Sequence, residues 1–178
     1  MITAVEGLPG TPVQIGSEIY SELLTMQYQD ARYLDTGDFS TWLNQFHEDI
    51  RYSMPCRITR LPKDGPGFDP EMEFFSENHI SLSTRVKRLE TDMAWSEQPG
   101  SRTRHFVSNT LVRALEDDRY LVVSSLMVTR MRDDLPYDMF TGERRDQVVR
   151  TSEGFKIIER VVLLDQTVLR SYNLSIFF

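Results

Sequence analysis

Residues 101–178 constrain this chain more than any other stretch, because they read as strand after strand with no room for a helix between them. Four runs carry the pattern: His105–Leu115, Tyr120–Arg132, Asp138–Arg150 and Phe155–Leu169, with a fifth, Val168–Phe178, continuing out of the last. They are rich in β-branched and aromatic residues and are separated by polar turns at Glu116–Arg119, Asp133–Pro136 and Thr151–Gly154. Short polar turns join sequential strands as hairpins, so the expectation is an antiparallel meander. In the second run both alternating sets are apolar: Tyr120, Val122, Leu126 and Val128 on one side, Leu121, Val123, Met127 and Met131 on the other. A sheet with one face in water alternates cleanly. This sheet is therefore expected to be covered on both faces.

The N-terminal part can supply one cover. Ser17 is a good N-cap for a first helix, with Tyr20, Leu24, Tyr28, Ala31 and Leu34 recurring on one stripe. Asp35-Thr36-Gly37 stops it, and Asp38 or Ser40 caps a short second helix carrying Trp42, Leu43 and Phe46. Ile50, Tyr52 and Met54 then alternate as a strand that Pro55 ends. Residues 60–70 hold three prolines and two glycines and read as an irregular loop. Ser76 caps a third helix to about Glu90, and a turn at Glu97–Ser101 leads into the sheet. Helices gathered before a meander define an α+β domain over residues 17–178, with the helices on the concave face of a curled, mostly antiparallel sheet. Residues 1–16, rich in Gly and Pro, read as an extended arm, either a loose tail or a strap across a neighbouring subunit.

Net charge −7 and a pI near 5.0 leave no electrostatic footprint for nucleic acid or an acidic membrane surface. No apolar run approaches the ~20 residues of a membrane-spanning helix. A lone cysteine, Cys56, fits a reducing cytoplasm and cannot close an intrachain disulfide.

Arg102-Thr103-Arg104-His105-Phe106-Val107-Ser108-Asn109 and Val123-Ser124-Ser125-Leu126-Met127-Val128 are followed by Phe140-Thr141-Gly142-Glu143-Arg144-Arg145-Asp146. Gly154-Phe155-Lys156-Ile157, Arg160, Leu164-Asp165 and Asn173-Leu174-Ser175-Ile176-Phe177-Phe178 complete the series. This ordered set, from about Ser17 to Phe178, resembles the β (small) subunit of bacterial aromatic-ring-hydroxylating dioxygenases, whose cone-shaped fold is similar to nuclear transport factor 2. The resemblance implies a subunit without metal or chemistry of its own. It implies a partner α subunit carrying a Rieske iron–sulfur centre and a mononuclear non-haem iron, and a hexamer of three α and three β. It also implies electrons relayed from NADH through a reductase, often with a ferredoxin, to cis-dihydroxylate an arene with both atoms of O2.

The residues test this independently. A Rieske centre needs two cysteines and two histidines, and this chain has one cysteine. Its histidines, His47, His79 and His105, lie far apart in sequence with no metal-ligand spacing. His105, beside Arg102 and Arg104, admits two readings. In one it is a general base paired with Asp35 or Asp49 inside the cone, which would make the chain a free-standing isomerase or dehydratase. In the other it is a strand-edge histidine meeting a neighbouring subunit's carboxylate, favoured because the spacing sets no acid beside it. His47-Glu48-Asp49 reads as a solvated corner, and Cys56 as an inert thiol. Glu143-Arg144-Arg145-Asp146 reads as a charged hairpin, either solvated or an inter-subunit ion-pair network. Phe177 and Phe178 are expected to dock into their own core or a partner. The candidate interface residues are thus Arg102, Arg104, His105, Glu143, Arg144, Arg145, Phe177 and Phe178, with no cofactor-binding residue. A third reading is a small-molecule binding module, followed through Trp42 and Trp95 fluorescence.

Overall fold

The computed structural model describes residues 7–61, 63, 65, 67–89, 100–132, 136–171 and 173–178. The Ser17 hydroxyl accepts the Tyr20 N–H at 3.3 Å and starts helix α1 (Glu18–Thr36). Gly37 ends it with φ 74, a left-handed conformation that glycine adopts without penalty. Asp38 caps the short α2 (Phe39–Leu43), which buries Trp42. Strand β2 (Phe46–Arg57), strand β3 (Phe68–Glu77) and helix α3 (His79–Leu89) follow, then β4 (Arg102–Ala114), β5 (Arg119–Met131), β6 (Asp138–Thr151) and β7 (Gly154–Leu164). With the two-residue β1 (Thr11–Pro12), the sheet runs β1-β4-β5-β6-β7-β2-β3. Every pairing is antiparallel except β2 with β7. The α+β class and the four-strand meander are as expected. The sheet is open and not strongly curled, in contrast to the expected cone.

Four local expectations are corrected. The chain from Phe68 to Glu77 is an edge strand, not the end of a loop, so Ser76 caps nothing. Asn78 caps α3 instead, accepting the Ser81 N–H at 3.0 Å. Phe46 belongs to β2, not to α2, and Pro55 lies within β2 at a bulge against β3, where its missing N–H breaks the ladder locally. Among the described residues of 165–178 none lies in a strand. Residues 8–13 lie along the chain's own sheet, with Leu8 against Leu121 and Val123, and Arg113 holding the carbonyls of Pro9 and Gly10. That arm covers one end of the outer face. At the other end Phe106, Met131 and Met139 stay about half exposed. The expected arm residues 1–6, the turn residues 97–99, Asp133–Leu135 and Trp95 fall outside the described residues.

Gly142 shows why one position tolerates no side chain. A Cβ there would stand 2.3 Å from the Leu163 carbonyl oxygen of the neighbouring strand.

Candidate functional site

The face of α1 turned to the sheet is not wholly apolar. Tyr20, Leu23, Ala31 and Leu34 share it with Gln27 and Asp30, while Tyr28 points outward. Each buried polar group has a partner on a strand, as burial demands. Gln27 donates to Ser124 Oγ at 3.1 Å and accepts from Thr110 Oγ1 at 2.8 Å. Asn109, with φ 54, opens the bulge in β4 beside Thr110.

Asp30 anchors a fully buried charge network. One carboxylate oxygen accepts from Trp42 Nε1 at 2.9 Å and Arg160 Nη1 at 3.0 Å; the other accepts from Arg144 Nη1 at 2.6 Å. Arg160 also grips Asp146 with two hydrogen bonds of 2.8 and 2.9 Å. Two carboxylates thus face two guanidiniums, and the cluster is formally neutral. Burial pushes the Asp30 carboxyl upward, but Arg160 and Arg144 outweigh it and hold the group below its ordinary value. Burial pulls on Arg160 in the opposite sense, and Asp146 and Asp30 more than offset that, so its pKa is raised. Burial raises the nearby Tyr52 phenol to about 12.

The tail closes this interior. Phe177 lies on Trp42 with ring centroids 4.4 Å apart, and Phe178 meets Phe140 edge-on at 5.3 Å. Basic side chains take the tail's carbonyls in turn: Arg130 that of Asn173, Arg85 that of Leu174 and Arg160 that of Phe178. A cavity of about 10 Å³ lies between α1 and the sheet, beside Arg144 Nη2, which has no hydrogen-bond partner among the described residues. Such a space admits at most one water. No arene fits.

His105 and Asp35 form a second cluster at the free edge of β4. Asp35 Oδ1 lies 2.6 Å from His105 Nδ1, and the His105 main-chain N–H donates to the same carboxylate at 3.0 Å. The carboxylate thus comes from the chain itself, where the favoured sequence reading placed it on a neighbour. The other ring nitrogen, Nε2, meets the Phe177 carbonyl oxygen at 3.1 Å. The histidine is therefore engaged on both sides, and its side chain is 1% exposed. Asp49 is elsewhere, on the surface 3.5 Å from His47. A pocket of about 400 Å³ opens beside the pair, between the end of α1, the start of β4 and the tail.

Other expected site residues separate. Arg145 pairs with Glu143 at 2.6 Å on the outer side of β6. Arg144 points the opposite way into the core and is not part of a charged hairpin at all. Phe177 and Phe178 dock into their own core. Asp30, Asp146 and Arg160 were missed. Their signal was parity: Arg144 and Asp146 alternate in step with Phe140 and Val148, a buried set. Among the described residues, no three His, Cys, Asp or Glu side chains come together to hold a metal ion, so a cofactor metal has no fitting donor set there.

The described interior is thus a helix-backed, mostly antiparallel sheet with charge-paired side chains. The model for the ring hydroxylating beta subunit matches residues 29–171. Benzene 1,2-dioxygenase subunit beta of Pseudomonas putida is 36% identical over 173 residues, covering 94% of this chain and 92% of that one. Biphenyl 2,3-dioxygenase subunit beta of Rhodococcus jostii is 34% identical over 173 residues, with the same coverage. A solved naphthalene 1,2-dioxygenase with indole in its active site superposes with TM-score 0.79 at 22% identity, over 89% of this chain and 84% of that one. The chain belongs to the ring-hydroxylating dioxygenase beta subunit family.

Proposed function

We propose that this chain is the structural subunit of an aromatic-ring dioxygenase, holding an iron-bearing α subunit in place without supplying a reacting group. The observation that carries this is the filled interior: among the described residues the space between helix and sheet is taken up by ion pairs and by Phe177 and Phe178, with a cavity of about 10 Å³ beside Arg144. The relatives' names supply the reaction class, oxidation of an arene with O2. In this reading the Rieske centre and mononuclear iron belong to the α subunit, electrons come from NADH by way of a reductase or ferredoxin, and assembly is α3β3 in the cytoplasm. Arg102 and Arg104 are exposed and Glu143 and Arg145 partly so, which supports an interface role for them. Co-expression with the adjacent iron–sulfur subunit is expected to give one large complex on size exclusion. Separate elution of the two chains would contradict the proposal.

The His105–Asp35 contact favours a second reading, an isomerase or dehydratase with that pair as its base. Against it stands the Phe177 carbonyl on the nitrogen that would have to reach substrate. Turnover of a candidate substrate by the isolated chain, lost in His105→Gln, would establish this alternative.

A further inference from the structure

The pocket beside His105 has features that neither reading uses. Its floor is apolar, formed by Leu34, Phe39, Leu89, Ile176 and Phe177, and its rim carries Arg102 and Arg104. Arg104 is partly committed, with Nη1 3.4 Å from Asp35 Oδ2. Arg102 is exposed and makes no hydrogen bond or ion pair among the described residues. Between them lies a main-chain donor. Strand β1 pairs only with Arg113 and Ala114, so among the described residues the start of β4 has no partner strand on that side. The His105 N–H points out of that edge, to Asp35, and alternation in an antiparallel ladder points the Thr103 N–H the same way. Outside the ladder with β5, Thr103 makes no hydrogen bond among the described residues. Asp35 does not make the pocket a negative one, because its carboxylate is turned to the His105 ring and N–H and to Arg104.

We infer that this pocket binds a small aromatic carboxylate, its ring on the apolar floor and its carboxylate on Arg102 and the Thr103 N–H. A volume of about 400 Å³ lies within the range of small-molecule sites and takes a one- or two-ring acid. A planar guanidinium beside a free N–H matches the paired oxygens of a carboxylate. This site is separate from the closed interior and does not depend on the structural role proposed above.

The probe is 2-naphthoate, with 2-naphthamide as its neutral twin, titrated calorimetrically into the full chain and into the assembled oxygenase. Saturable binding is expected in both, about tenfold tighter for the acid than the amide. Arg102→Gln should bring the acid down to the level of the amide, and Arg51→Gln, on a distant strand, should leave it unchanged. Equal affinity for acid and amide, no saturable binding, or binding that ignores Arg102→Gln would each overturn the inference. Binding to the free chain that vanishes in the assembled oxygenase would also overturn it, by showing that a partner's group fills the pocket.

Discussion

Asp30 is the residue on which the interior turns, because it pairs with both Arg144 and Arg160, as Asp146 does, and alone also takes the Trp42 indole N–H. Removing its charge leaves two buried guanidiniums facing a single carboxylate, a change that costs about 3–5 kcal/mol in comparable buried pairs. Asp30→Asn should therefore lower the unfolding free energy from urea titration by that amount at neutral pH. The pH dependence follows in sign. A carboxyl held below its unfolded value stabilises the fold fully above that value and loses the contribution as pH falls through the folded one. The acid limb of the stability curve, below about pH 4, should be shallower in Asp30→Asn than in the parent. Tyr52 acts at the other end. Its phenol is raised from 10.0 to about 12, so its contribution is complete below pH 10 and drains as pH climbs toward 12. That shift is worth about 2–3 kcal/mol, and Tyr52→Phe should flatten the alkaline limb. None of these roles was legible from residue type alone. Arg144 looked like a surface charge because its neighbours Glu143 and Arg145 are, and only the in–out parity of β6 reveals it.

The elements differ in how plainly they announced themselves. The meander was legible because β-branched and aromatic residues crowd β4 to β7 and Asp, Gly and Glu crowd the turns between them; Asp117 and Asp118 adopt φ of 56 and 52 in one such turn. Strand β3 was hidden because an edge strand needs little burial. Its Pro70, Glu71 and Glu73 face water, and the Asp69 carboxylate accepts the N–H groups of Glu71 and Met72 where the strand begins. The tail misled in the opposite way. Its apolar residues suggested a strand, but Arg85, Arg130 and Arg160 claim the carbonyls that a ladder would have used. The tail thus acts as core filler, and Phe178→Ala should cost about 3–5 kcal/mol in thermal or urea unfolding. Gly142→Ala should cost about 2–3 kcal/mol, since the added methyl would meet the Leu163 carbonyl and part β6 from β7. An unchanged midpoint in either variant would show the packing described here to be wrong.

The whole molecule is asymmetric in what it leaves open. Between helix and sheet the described side chains are mostly paired or packed, whereas the outer sheet face leaves Phe106, Met131 and Met139 about half exposed and the β4 edge leaves Arg102 exposed. The formal net charge is −7, and among the described residues no helix is long and apolar enough to cross a membrane. The most direct test compares turnover per assembled oxygenase, with the parent chain and with His105→Gln, after each complex is purified to the same subunit ratio. The account predicts equal turnover per complex, with any deficit confined to the yield of assembly. A fully assembled His105→Gln complex that has lost its turnover would contradict it.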